Sequence, residues 1–275
     1  MVRAMSSFAE VVIESHVATV TLVATGKAPR MGAAFWNEMP AFFSELEKNE
    51  DVRAIVLRGD QGHFSFGLDL GAIASEIQPY LADGALASER RKLLDVIERF
   101  QDAISCVASC RKPVIAALTG WCIGGGVDLA SACDIRICSA DTQLSIRETR
   151  LGMVADVGTL ARLPAIIGQG ATRLLALTGD DVDSARAKEL GLVSEVHPTH
   201  EATFEAARAI AMRIARNSPL AVQGTKSVLN HSSERAAGDS LRHVALWNAA
   251  FLSSHDFREA FAAFAQKRVP SFTGR

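Results

Sequence analysis

The chain has one tyrosine in 275 residues, and its formal charge is only −2, from 29 basic and 31 acidic side chains. Phe is common (13) but Tyr nearly absent, and without a basic excess nucleic-acid recognition gets no support. No apolar run reaches the roughly 20 residues needed to cross a bilayer. Met1–Glu10 lacks the apolar stretch of a secretory signal and carries an early acid, so it makes a poor transit peptide as well. The terminal Phe272-Thr273-Gly274-Arg275 is no peroxisomal SKL-type address. Together these absences lead to the expectation of a cytoplasmic enzyme that contacts neither membrane nor nucleic acid.

Other absences narrow the chemistry. Cys106, Cys110, Cys122, Cys133 and Cys138 are odd in number and contain no C-x-x-C, which reads as reduced core thiols. The histidines, at 16, 63, 197, 200, 231, 243 and 255, are scattered without ligand spacing, so no metal is expected. There is no G-x-G-x-x-G, no Walker A lysine and no G-x-S-x-G. Ser65 stands in His-Phe-Ser-Phe-Gly, which lacks the first glycine of a nucleophile elbow. Internal repeats and low-complexity linkers are also missing.

What remains is a chain rich enough in apolar residues (48%) for one large core, alone or with an appendage. Alternation predicts strands at Phe8–Glu14 and Val17–Val23. A helix is predicted over 34–48, with Phe35, Met39, Phe42, Phe43 and Leu46 on one side; Pro40 either lies near its first turn or kinks it. The strand Val52–Arg58 is followed by a loop, Gly59–Gly71, and by largely helical residues 72–110, interrupted near Pro79 and Gly84. Val114–Leu118, Ile135–Cys138 and Gln143–Ile146 read as strands, with a helix from about Gly125 to Ala132 between the first two. After residue 157 strand signal is confined to Leu192–Val196, and helices are predicted at 201–216, 219–230, 236–252 and 256–267. The class is therefore α/β. The division is a core over 1–198 and a helical region over 199–275, whose amphipathic helices suit an oligomer contact.

Three carboxylates stand among glycines and apolar residues: Asp128 after Gly124-Gly125-Gly126-Val127, Glu148, and Asp156 eight positions later. Acids in such surroundings find partners or move protons. The blander roles are a salt bridge of Glu148 with Arg147 or Arg150, a helix cap at Asp156, and a structural partner at Asp128. Asp134 and Asp141 look structural. A helix starting near Gly125 leaves its first N–H groups unpaired, and a second free N–H in the Gly67-Leu68 turn could aim at the same point. Two such donors would stabilise an enolate formed from a thioester; the alternative is a tight helix–strand contact without chemistry.

The combination of His63–Leu70, Gly120–Asp134 and Arg147-Glu148-Thr149-Arg150-Leu151-Gly152 resembles the enoyl-CoA hydratase/isomerase (crotonase) superfamily over nearly the whole chain. Within it, Gly-Gly-Gly-Val-Asp-Leu at 124–129 and Ala-Asp-Val-Gly-Thr-Leu-x-Arg-Leu-Pro at 155–164 are most similar to the Δ3,5-Δ2,4-dienoyl-CoA isomerases. The resemblance implies a spiral of ββα units with a C-terminal trimerisation region, often a dimer of trimers. It implies oxyanion donors at Leu68 and Gly125, and an acyl-CoA substrate contacted by Arg30 (Lys27 is the poorer match), Phe66, Gly67, Asp69 and Leu70. Phe264 and Lys267 of Phe-Ala-Gln-Lys would reach the CoA of an adjacent subunit. No cofactor is implied beyond the coenzyme A of the substrate.

Hydratases of this superfamily have Glu at the position of Asp128 and usually Gly at that of Asp156, and many members have Pro at that of Arg147. Losing the first Glu and gaining Asp156 favours proton shuttling over water addition. Moving two double bonds from 3,5 to 2,4 requires proton loss at carbon 2 and proton gain at carbon 6 of a dienolate. The resemblance makes Asp156 the base and Glu148 the acid, with Asp128 hydrogen-bonded to a carboxyl partner that it helps keep protonated. The rival functions are an enoyl-CoA hydratase or 3,2-enoyl-CoA isomerase and, in another class, a non-catalytic acyl-CoA-binding or assembly protein.

Overall fold

The computed structural model describes all residues except 1, 25, 81–85, 252 and 272–275. The predicted interruption near Gly84 and the C-terminal tetrapeptide therefore lie outside the described residues.

The chain opens with β1 (Val2–Met5), β2 (Ala9–Glu14) and β3 (Val17–Leu22), an antiparallel meander in which Val2 pairs with Ile13 and Ala9 with Leu22. α1 (Ala33–Lys48) follows, with Pro40 in its interior, and then β4 (Ala54–Gly59). α2 (Leu70–Ile77) and α3 (Ala87–Ser109) lead to β5 (Val114–Leu118) and β6 (Trp121–Ile123). Next come α4 (Gly125–Ala132), β7 (Ile135–Ser139), β8 (Gln143–Ser145), a 3-10 turn over Glu148–Leu151 and α5 (Thr159–Thr178). β9 (Asp181–Asp183), α6 (Ser184–Glu189) and β10 (Glu195–His197) complete the strands. α7 (His200–Ala215), α8 (Pro219–Phe251) and α9 (His255–Ala265) end the chain.

The main sheet has the order β1-β2-β3-β4-β5-β7-β10, parallel from β3 onward; β6, β8 and β9 form a second, smaller sheet. From β5 onward the chain alternates between the two sheets, which winds it into a spiral. The bridges Ser65–Cys122 and Met31–Leu68 carry the small layer back to the earlier turns.

β4 and β5 are continuous apolar runs because both faces of the sheet are covered. Ile55, Leu57, Val114, Ala116 and Leu118 point toward α1 and α3, where Phe35, Phe43, Phe100, Ile104 and Val107 meet them. Their alternate neighbours Ala54, Val56, Ile115 and Ala117 point the other way, onto Ala207, Ile210 and Ala211 of α7. α7, the first helix of the 199–275 stretch, thus builds part of the core.

Several sequence expectations shift. α2 begins at Leu70, inside the expected loop, because Asp69 Oδ1 accepts the Ala72 N–H at 3.1 Å and caps it. The strand expected at Leu192–Val196 sits at Glu195–His197: Leu192 and Val193 are buried in the preceding turn, with their N–H groups on the Ala187 carbonyl. β1, β6 and β9, of three or four residues each, were too short to give a periodic signal. α8 runs unbroken across the gap expected between 230 and 236. It packs along α3, where Ala245 joins Leu93 and Ile97.

Candidate active site

Two backbone turns meet at the heart of the molecule. Gly67 has φ +72°, and a Cβ there would stand 2.6 Å from the Ile123 carbonyl oxygen and 2.8 Å from the Gly125 nitrogen. Only glycine fits that approach. Ser65 shapes the first turn: its buried hydroxyl accepts the Gly67 N–H at 3.0 Å and donates to the Pro29 carbonyl at 3.3 Å. That use of the hydroxyl accounts for a serine without a nucleophile elbow. The Met31 N–H bonds the Gly67 carbonyl and the Asp69 N–H bonds the Met31 carbonyl, so the 29–31 segment clamps the turn from outside. Trp36 Nε1 in turn donates to the Met31 carbonyl at 2.8 Å.

The second turn is Gly124, φ +52°, which begins α4. Its N–H bonds the Ser145 carbonyl, and its own carbonyl accepts from Val127 and Asp128. The Leu68 nitrogen lies 3.6 Å from where a Gly125 Cβ would be. Among the described residues neither the Leu68 nor the Gly125 N–H has an acceptor. Two free donors on adjacent turns, one at a helix N-terminus, are the arrangement that stabilising a developing oxyanion requires.

The acids gather beside these turns. Asp128 is fully buried on α4; Oδ1 accepts the Thr159 N–H at 2.5 Å, while Oδ2 has no partner among the described residues. Burial pushes its carboxyl up to about 6. No carboxyl group bonds it among the described residues, contrary to expectation: Asp128 caps the first turn of α5, where the local cap residue, Gly158, has no side chain to offer. Its charge is felt by both other acids, and the guanidinium of Arg162, held on Ser105 at 2.9 Å, offsets it in part.

Glu148 begins the 3-10 turn, which Gly152 closes at φ +69°. A Cβ on Gly152 would meet the backbone of Phe257 at 2.9 Å, so α9 abuts the turn directly. Glu148 Oε1 lies 3.1 Å from where a Gly124 Cβ would be, against the glycine turn, and Oε2 is buried without a partner among the described residues. Burial first, then the charges of Asp128 and Asp156, push this carboxyl up to about 8. The salt-bridge alternative fails. Arg147 bonds Ser145 at 3.0 Å and Asp181 at 2.9 Å and lies over the Trp121 ring, and Arg150 bonds Asp180 at 3.2 Å.

Asp156 does not cap α5, which starts at Thr159. Its Oδ2 instead accepts from Asn248 Nδ2 of α8 at 2.7 Å, and its backbone carbonyl accepts from Gln101 Nε2 of α3 at 2.7 Å. Burial raises this carboxyl to about 7, with the Asn248 donor opposing and Asp128 adding to the rise. Asn248 and Gln101 were missed by the sequence reading. A signal existed: Asn248 shares a buried stripe with Val244 and Ala245, and Gln101 one with Ile97, Phe100 and Ile104. An amide on an apolar stripe has a partner to serve.

The remaining candidates divide by location. Phe66, Gly67, Asp69 and Leu70 belong to the oxyanion turn or its exit, and Asp69 is occupied as the α2 cap. Arg30 is exposed between the two residues that clamp that turn, at its rim. Phe264 is 70% exposed and Lys267 also faces solvent; nothing within the chain joins them to the acids among the described residues. Asp134, which accepts from Val114 N–H and Lys226, and Asp141, bonded to Ser139 and His200, are structural as expected. No group of three or more potential metal ligands occurs among the described residues.

The model of the enoyl-CoA hydratase/isomerase family matches residues 12–275. A Dictyostelium discoideum protein named mitochondrial Delta(3,5)-Delta(2,4)-dienoyl-CoA isomerase is 41% identical over 94% of this chain and 88% of its own length. An Arabidopsis thaliana protein named peroxisomal Delta(3,5)-Delta(2,4)-dienoyl-CoA isomerase is 44% identical over 86% of each. A solved enoyl-CoA hydratase/isomerase from Mycobacterium paratuberculosis superposes with a TM-score of 0.82 at 27% identity, over 94% of this chain and 98% of that one. The α/β spiral is the crotonase fold. The expected cytoplasmic location is overturned, because these relatives are named as proteins of mitochondria and peroxisomes.

Proposed function

The chain belongs to the enoyl-CoA hydratase/isomerase family, and we propose that it converts 3,5-dienoyl-CoA to 2,4-dienoyl-CoA in fatty-acid β-oxidation. The observation that carries this reading is Asp156: a buried carboxylate, positioned by an amide, whose charge reaches Glu148, which lies against the glycine turn beside the free N–H groups. Names at 41% and 44% identity support it.

The thioester oxygen accepts from the N–H groups of Leu68 and Gly125. Charge moving onto that oxygen lowers the cost of removing a proton from carbon 2. Asp156 takes that proton, and the conjugated enolate spreads its charge to carbon 6. Glu148, neutral because it is buried near two other acids, delivers a proton there. Asp128 contributes a fixed negative charge that keeps Glu148 protonated. The pocket gives every charge a role without any cofactor beyond the substrate's coenzyme A.

Arg30 at the rim suits the CoA phosphates, and Phe66, Gly67, Asp69 and Leu70 line the entrance. Phe264 and Lys267 serve a neighbouring subunit's substrate. A trimer or dimer of trimers is supported by apolar side chains left in solvent, Leu177 (74%), Leu220 (82%) and Val228 (73%) among them. The 199–275 region fills this role from α8 onward, since α7 is committed to the core.

Incubation with 3,5-dienoyl-CoA should raise the absorbance of the conjugated 2,4-dienoyl thioester. No rise at any protein concentration rejects the reading, and faster hydration of crotonyl-CoA would select a hydratase.

A further inference from the structure

We infer that Asn248 of α8 is a positioning residue that fixes which carboxyl acts as base, by presenting Asp156 with a donor that cannot be reversed. This deepens the dienoyl-CoA isomerase reading and rests on it.

The orientation of the Asn248 amide follows from its partners. Oδ1 accepts the Val154 N–H at 3.3 Å; Nδ2 donates to the Val154 carbonyl at 2.8 Å and to Asp156 Oδ2 at 2.7 Å. Flipping the amide would set its oxygen against a carbonyl and a carboxylate oxygen and its NH2 against an N–H, leaving no bond intact. Asn248 is 2% exposed, so water cannot substitute for these partners. Gln101 locks the same corner from the other side: its Nε2 donates to the Asp156 carbonyl at 2.7 Å and to the Leu241 carbonyl at 2.9 Å, tying the loop to α8.

Asp156 therefore meets a permanent donor at Oδ2, which favours the ionised carboxyl and leaves Oδ1 to receive a proton. Glu148 has no side-chain donor among the described residues and feels the charges of both Asp128 and Asp156, which favours the neutral acid. The titratable groups facing Asp156 are Asp128 of α4 and Glu148 of the 3-10 turn; Arg162 of α5 faces Asp128. The charge of Asp128 reaches both candidate acids, whereas Asn248 touches only one. The step balances: the C2–H bond breaks, its proton goes to Asp156 Oδ1 and its electron pair enters the conjugated enolate. A C6–H bond then forms with the proton of Glu148. One proton lost from Asp156 to solvent and one gained by Glu148 restore the resting state.

The test is the pH dependence of kcat/KM for dienoyl-CoA isomerisation by the wild type, Asn248→Leu and Asn248→Asp, with circular dichroism reporting the fold. Asn248→Leu removes the donor; its acid limb should move up by about one pH unit or more, with a loss of about fivefold or more at pH 7 that approaches about tenfold at lower pH. Asn248→Asp keeps the size and the acceptor for Val154 but adds a second acid, so its limb should move at least as far; it decides the matter if the leucine variant does not fold. A folded variant whose rate falls equally at every pH, with the limb unmoved, reduces Asn248 to a scaffold residue and overturns the inference. Wild-type behaviour in both variants overturns it as well. A wild type that does not isomerise the substrate is a different failure, that of the functional reading itself.

Discussion

Two buried carboxyls close enough for one to feel the other's charge sit in different surroundings. At the Asp156 corner a carboxylate oxygen meets an amide donor from α8, and the loop beneath it is pinned by Gln101 of α3. At the Glu148 corner the carboxyl lies against a glycine turn, and its buried Oε2 has no side-chain donor among the described residues. Burial raises both, to about 7 and about 8, so desolvation alone does not separate them. What differs is the company each keeps: Asp156 meets a side-chain donor fixed on α8, whereas Glu148 has only backbone donors of its own turn, set against the charges of both Asp128 and Asp156. Activity requiring ionised Asp156 and neutral Glu148 is confined to a window near these values, whose limbs belong to the coupled cluster rather than to either acid.

The comparison breaks most severely at its better-served corner. Asp156→Asn keeps the shape and an acceptor for Asn248 but no base; kcat should fall about a thousandfold with the fold intact, and unchanged turnover would refute the base assignment. Next comes the oxyanion turn. Gly67→Ala forces a Cβ at φ +72° to within 2.8 Å of the Gly125 nitrogen. Misaligning those donors should cost about a hundredfold in kcat/KM, checked by steady-state kinetics.

Glu148→Gln sharpens the contrast through stability. The folded carboxyl titrates near 8, above its ordinary 4.5, so between those values the folded protein holds a proton that the unfolded chain releases. Stability conferred by Glu148 is therefore greatest at low pH and falls as pH rises through that window. The glutamine variant should melt higher than wild type at pH 8 and show little gain at pH 5 in thermal scans. The smallest effect is expected at Arg147. Its bonds to Ser145 and Asp181 and its place over Trp121 are partly exposed. Arg147→Ala should cost about 0.5 kcal/mol in denaturant unfolding and change kcat less than threefold.

These corners also differ in how far sequence reveals them. The glycine turns were legible because a triple glycine before a helix and Gly67 after a strand encode their geometry within a few residues. The acids were legible as acids, and the family resemblance supplied their roles. What stabilises each of them was not: Asn248 lies 92 residues from Asp156, and that contact exists only because α8 packs along α3. Asp128 shows the same limit, since its partner, the Thr159 N–H, is a helix end 31 residues away. The sheet strands with continuous apolar runs were found, as was β8 of the small sheet, while its three-residue partners β6 and β9 were invisible to any period.

The assignment of base and acid is tested most directly by following hydrogen exchange at carbon 2 of the substrate in deuterated water by NMR, using Glu148→Gln beside Asp156→Asn. With Asp156 as base, the Glu148→Gln enzyme should still exchange the carbon 2 hydrogen while product formation collapses, and the Asp156→Asn enzyme should do neither. Exchange retained by Asp156→Asn and abolished in Glu148→Gln would contradict the account and reverse the roles of the two carboxyls.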